Sequence, residues 1–246
     1  LVEGLRRQGW YTVKMSNMAQ GTSRESRIDD FAILDTIRDH TAYIDALCRT
    51  SLISTALMPD AFDQVIEDLA EMTARRRAMG IDTPQFITLG ANFVGLYEYF
   101  DQGLRKKLAG EDLLYFQQHI HLTMSIVNRK NKLPDAENTT DDAYRIIGDD
   151  KSVLRVEDSS ALRALPILPG FFRPEQNLSA AMAIKIWSGN VVQCSMAFVA
   201  LHYGIENTYD AAFHPVAARY AYYAAAETYG GVSAEYGLPP RSSEEA

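Results

Sequence analysis

The most apolar and least interrupted stretch of the chain runs from Ser179 to Gly231. It reads SAAMAIKIWSGNVVQCSMAFVALHYG, breaks briefly, and resumes as HPVAARYAYYAAAETYGG. Ala, Met, Ile, Val and Phe crowd the first half, with Trp187 near its middle. Alanines alternate with tyrosines in the second. The pattern predicts two buried helices around which the rest of the chain packs.

Upstream, helical spacing recurs. Ser26 and Asp29 form a capping pattern ahead of Ile28, Phe31, Leu34, Ile37, Ile44 and Leu47. Pro59 and Asp60 open a second helix with a stripe of Phe62, Val65, Ile66, Leu69 and Met72. Arg75, Arg76 and Arg77 fall in its last turn, where cations suit the helix dipole, and Gly80 stops it. Thr83-Pro84 opens a helix through Phe86, Gly90, Phe93, Val94, Tyr97 and Phe100 towards Lys107. Glu111 and Asp112 open another through Leu113, Phe116, Ile120, Met124 and Val127, which ends in Arg129, Lys130 and Lys132. A short helix follows Thr140, and Ser152 to Val156 reads as a brief strand. The apolar run LPILPGFFRP is broken by proline and reads as an ordered connector.

The expected fold is therefore all-α, a single helical domain of about six to eight helices with extended arms at both ends. Residues 1–25 have no sustained period and form the N-terminal arm. Residues 26–231 form the helical core, with 131–178 an irregular connector between two helical halves. Residues 232–246, with Pro239-Pro240, form the C-terminal arm. Trp10 and Tyr11 are costly to leave in water, so the first arm is expected to lie on a surface, either its own domain's or a neighbour's, and in the assembly reading to link copies of the chain.

Composition leaves this picture in place. With 47% hydrophobic residues the 246-residue chain has enough apolar content for a sizeable core. A net charge of -8 and a pI near 5.2 argue against a surface that is basic throughout. Two cysteines, Cys48 and Cys194, build no disulfide framework and read as reduced thiols. Opening at Leu1 rather than Met, the chain reads as a fragment or processed product without a secretory signal. The run Val191 to Leu201 falls short of the ~20 residues of a membrane span. A soluble protein in a reducing compartment, cytoplasm or virion, is expected.

Motifs of catalysis are sparse. There is no phosphate-binding P-loop, no G-x-G-x-x-G, no G-x-S-x-G and no Glu-x-x-His. His119 and His121 point about 200° apart on a helix and do not share a metal. The acidic pairs Asp29-Asp30, Asp141-Asp142 and Asp149-Asp150 read as helix starts and solvated loops. No metal and no cofactor is expected. The remaining signal is a mixture of cations, amides and aromatics. Lys185, Asn190 and Gln193 interrupt an apolar helix, Arg219 sits among tyrosines, and Arg129 and Lys130 cluster at a helix end. Such a set suits either ordinary polar positions or a groove for single-stranded nucleic acid, where cations track phosphates and aromatics stack on bases.

The segments AIKIW (Ala183 to Trp187), the run that follows to Leu201, and RYAYYAAAE (Arg219 to Glu227) resemble the coat proteins of flexuous filamentous plant RNA viruses. The resemblance implies an N-terminal arm docked on a neighbouring subunit, an extended C-terminal arm and a core that clamps RNA without reading sequence. It points to Lys185, Arg219 and Glu227. The family favours arginine where Lys185 stands and aspartate near Glu227. The reading is a non-enzymatic structural protein that self-assembles and holds single-stranded RNA. An accessory subunit of a larger hetero-oligomeric, organellar complex and an all-α enzyme centred on His119, Tyr115 and Glu98 are the alternatives.

Overall fold

A computed structural model describes residues 1–17, 20–127, 131–132, 142–150, 153–163, 165 and 168–239. Of these, 53% are helical and 20% lie in strands, so the fold is mixed α/β and the all-α expectation is corrected. The chain divides into two units. The first comprises Leu1–Ala91 and Gly95–Glu175, and the second Asn92–Val94 and Gln176–Ala246.

The first unit is built on two sheets. Its elements begin with α1 (Val2–Gln8), β1 (Tyr11–Asn17), β2 (Thr22–Ile28), α2 (His40–Arg49), β3 (Leu52–Ser54) and α3 (Phe62–Ala78). β4 (Gln85–Leu89), α4 (Leu96–Lys107), α5 (Gly110–His119) and β5 (Ile120–Val127) follow. The series closes with β6 (Asn131–Lys132), β7 (Ile146–Asp149), β8 (Leu154–Glu157), α6 (Ser160–Arg163) and β9 (Phe172–Glu175). The larger sheet has the order β3-β4-β5-β8-β9 and the smaller β2-β1-β7-β6. β3, β4 and β5 run parallel, with Ile53 opposite Ile87 and Ile87 opposite Leu122. β8 joins antiparallel to β5.

The parallel strands explain the misreading. All five residues of β4, QFITL, are buried. A parallel strand covered on both faces shows a continuous apolar run instead of alternation, and period alone does not separate it from helix. The expected helix from Thr83 is therefore β4 followed by α4. The expected helix from Glu111 is α5 followed by β5, where His119 ends the one and Ile120 begins the other. The expected helix from Ser26 begins as the end of β2 and becomes helical only at His40. Residues 1–25 hold α1, β1 and most of β2, and β1 is a central strand of the smaller sheet.

α3 buries Phe62, Ile66, Leu69 and Met72, the stripe that the spacing predicts. Its three arginines are absorbed by the fold. Arg75 pairs with Asp45 at 2.7 Å, and Arg77 with Glu111 at 2.8 Å and with Asp112. Arg76 is fully buried and donates to the carbonyls of Cys48 and Thr83 and to the Tyr115 hydroxyl. Asp142, which the sequence suggests is solvated, is 1% exposed. It accepts from Gln8 Nε2, from the Thr12 amide and hydroxyl, and from the Tyr144 amide, which ties the chain start to the smaller sheet.

The second unit is helical: α7 (Leu178–Ala183), a π turn (Ile184–Asn190), α8 (Val191–His202), α9 (Thr208–Phe213) and α10 (Pro215–Tyr236). Asn177 caps α7, its side chain accepting from the Ala180 amide at 3.0 Å. Ala200, Ala211 and Ala217 let α8, α9 and α10 approach closely, with Met196, Val199 and Ile205 around them. These are the two apolar halves that the pattern marks, but their outer faces are open. Phe198 of α8 is 74% exposed and Tyr223 of α10 58%. Val232 to Tyr236, expected in the C-terminal arm, complete α10, and residues 240–246 lie outside the described residues.

By length and composition the continuous helix Leu178–His202 is long enough to cross a membrane, contrary to the short span expected. Its apolar run is interrupted by Lys185. The α/β fold is consistent with a soluble protein, as the sequence suggests.

Candidate active site

Lys185 lies in the π turn, and its Nζ donates to Asn92 Oδ1 at 2.9 Å. Asn92 stands three residues beyond β4 and belongs to the same unit as Lys185. Lys185 is half-buried, and its ammonium is held below the ordinary lysine value by desolvation. A lysine moved in that direction is a better proton acceptor near neutral pH than a solvated one.

The π turn changes which residues share a face. Residues five apart in an α-helix point about 140° apart. In a π turn, whose rings close from i to i+5, they come within about 50° of each other. Lys185 and Asn190 are five apart, so the turn brings their positions to one side. Gln193 follows three residues after Asn190, on the same side of α8. π turns inside helices occur often at functional sites.

On the other side of the turn, Trp187 and Ala183 line a cavity of about 340 Å³ with Val94 and with Thr228, Val232 and Glu235 of α10. The hydroxyls of Ser188 and Thr228 lie 3.5 Å apart.

Of the residues marked from sequence, Lys185, Asn190 and Gln193 occupy positions on one side of the π turn and the start of α8. Arg219 is exposed on α10, and Arg129 and Lys130 lie outside the described residues. Trp10 and Tyr11 are engaged within the chain. Arg27 sits 4.5 Å from the centre of the Trp10 ring, and Tyr11 packs edge-on against Phe31. Of the His119, Tyr115 and Glu98 set, the rings of Tyr115 and His119 lie 4.6 Å apart. Tyr115 donates to the Ile81 carbonyl, His119 Nδ1 meets the Asp82 carbonyl at 3.0 Å, and Glu98 is exposed in the first turn of α4. Sequence reasoning missed Asn92. The signal was Gly90-Ala91-Asn92 after an apolar run, because ligands of open α/β sheets gather beyond the carboxyl ends of strands.

None of the known protein-family models matches the chain. The chain is 22% identical over 217 residues to mannitol-1-phosphate 5-dehydrogenase of Streptococcus pneumoniae (strain 70585), covering 87% of this chain and 55% of that protein. Its fold is similar to that of D-sorbitol dehydrogenase in substrate-free form, with a TM-score of 0.71 at 15% identity over 98% of this chain and 57% of the other. The mannitol 2-dehydrogenase of Pseudomonas fluorescens, solved with NAD and D-mannitol, gives 0.71 at 13% identity, over 98% of this chain and 56% of the other. The chain spans about half the length of each of these proteins.

These likenesses overturn the coat-protein resemblance and the reading that follows from it. A non-enzymatic assembly protein, linked through terminal arms and clamping single-stranded RNA, does not fit a chain whose fold and relatives are those of dehydrogenases. The accessory-subunit alternative falls with it, and of the all-α enzyme alternative it is the all-α fold that falls.

Proposed function

We propose that this chain carries the proton-transfer residues of a polyol dehydrogenase, an enzyme that interconverts a sugar alcohol and its keto form. The observation that carries the reading is the contact between Lys185, in the π turn, and Asn92. Oxidation of an alcohol to a carbonyl takes a hydride from carbon and a proton from oxygen. Neutral Lys185 Nζ accepts the hydroxyl proton, and in the reverse direction the ammonium returns it to the carbonyl oxygen. Asn92 holds Nζ in place through its carbonyl oxygen. Asn190 and Gln193 supply amide groups to neighbouring hydroxyls of a polyhydroxylated chain. This assigns to Lys185, Asn190 and Gln193 the substrate rather than RNA.

A nicotinamide cofactor is the hydride acceptor that the reading implies. Such a dinucleotide is ordinarily gripped through its pyrophosphate by a G-x-G-x-x-G turn. No two glycines in the chain are separated by a single residue. The residues of this chain therefore do not fit that grip, and they account for the proton half of the reaction alone. An exposed free Cys194 suits a reducing compartment.

The test is turnover by the full-length protein. D-mannitol, D-sorbitol and their phosphates are supplied with NAD or NADP, and nicotinamide reduction is followed. Turnover of one of them supports the reading. A protein that binds these compounds without oxidising any, under conditions where it is folded, contradicts it.

A further inference from the structure

We infer that the π turn holds one residue more than the helix needs, and that the Ser188-Gly189 pair contains this surplus, so that the alignment of Lys185 with Asn190 is set by the turn and not by the α-helical period. The functional weight of that alignment rests on the proton-transfer reading above. The inference about the turn rests on geometry.

Seven residues separate α7 from α8. In π form they advance the helix by about 570° and about 8 Å. Six residues in α form advance it by about 600° and about 9 Å. Both flanks thus keep their faces and their spacing when one residue is removed and the turn closes as ordinary α-helix. The buried face of α7, Ala180, Ala181, Met182 and Ala183, stays where it is, as does Ala200 of α8. With Gly189 gone, Lys185 and Asn190 stand four apart, about 40° from each other. A segment that was α-helical in the working protein would behave in the opposite way, since removing one residue would swing everything beyond it by about 100°.

Gly189 is suited to removal. Its φ is not positive, and the nearest atom to an added Cβ is the Ile184 carbonyl oxygen at 3.9 Å, so neither an unusual conformation nor a close approach depends on it. Ser188 meets α10 through a long contact, its Oγ accepting from Thr228 Oγ1 at 3.5 Å.

The experiment deletes Gly189 in the full-length protein and, separately, Ser188. Circular dichroism and thermal melting report the fold. The titration of Lys185 is followed by NMR after reductive ¹³C-methylation, with Lys185→Arg to assign its signal. Both deletions are expected to fold and to melt no lower than the parent. Lys185 should keep its displaced titration, and kcat/KM should stay within about tenfold of the parent. The inference is overturned if neither deletion folds, because a segment with a surplus residue must fold without it. It is equally overturned if a folded deletion variant returns Lys185 to ordinary lysine behaviour or loses more than about a hundredfold in kcat/KM. Titration and melting need no turnover. A parent protein without polyol oxidation would therefore end the proposed function while leaving the surplus residue to be decided by these two readouts.

Discussion

Lys185 Nζ and Asn92 Oδ1, 2.9 Å apart, join residues 93 positions distant in the chain. The lysine comes from the middle of an apolar helix and the asparagine from the segment after a buried parallel strand. Because an amide oxygen accepts from either the ammonium or the neutral amine, the contact fixes the position of Nζ in both protonation states.

The pH dependence follows from the direction of the lysine shift. Desolvation lowers the Lys185 pKa, so the neutral base is present at lower pH than for a solvated lysine. Alcohol oxidation should rise with pH through that lowered pKa, and carbonyl reduction should fall. The pH profiles of kcat/KM in the two directions check this, and a limb at the ordinary lysine position speaks against it.

Asn92 variants should move that limb in opposite directions. Asn92→Asp places a carboxylate against Nζ and raises the lysine pKa, while Asn92→Ala removes the acceptor that favours the ammonium and lowers it further. Both should reduce kcat/KM. Equal loss with an unmoved limb would reduce Asn92 to a packing residue.

Asp142 should make the first unit sensitive to acid. Burial raises its pKa, but the bonds from Thr12, Gln8 and the Tyr144 amide outweigh burial, and the net value lies below the ordinary carboxylate range. The stability this confers is complete above the unfolded pKa of about 3.9 and is lost as pH falls through the lower folded value. Asp142→Ala should cost about 1–3 kcal/mol at neutral pH, from orphaned donors, with the difference from the parent shrinking below about pH 4. Urea unfolding across that range measures it.

Arg76→Met should be among the more costly changes in the first unit. It leaves the Cys48 and Thr83 carbonyls and the Tyr115 hydroxyl without their buried donor. The expected loss is about 3 kcal/mol or more by urea denaturation, since each buried group left unpaired costs about 1–3 kcal/mol. An unchanged midpoint would show that other donors replace it.

Sequence period found the helices that are amphipathic and lost the strands that are not. α3 was legible because its buried residues recur every three or four positions and its arginines sit in the last turn. β4 and β5 were illegible because Phe86 and Ile87 in the one, and Thr123, Met124, Ser125 and Ile126 in the other, are buried in succession irrespective of alternation. The small sheet was missed for another reason. β2 is TSRESRI, a mostly exposed edge whose polarity reads as an arm until its pairing with β1 is seen. Lys185, Asn190 and Gln193 stood out as polar breaks in an apolar helix, and that part of the candidate site was legible. Their common face was not, because an α period sets Lys185 and Asn190 apart. Asn92 was hidden by its distance in sequence.

The most direct measurement is the rate of nicotinamide reduction by the full-length protein and by Lys185→Met, side by side on the best polyol substrate. The account predicts turnover by the parent and a fall in kcat of about 10²–10⁴-fold in the variant, with its fold intact. A variant that oxidises the polyol as fast as the parent would contradict the assignment of Lys185 as the proton acceptor.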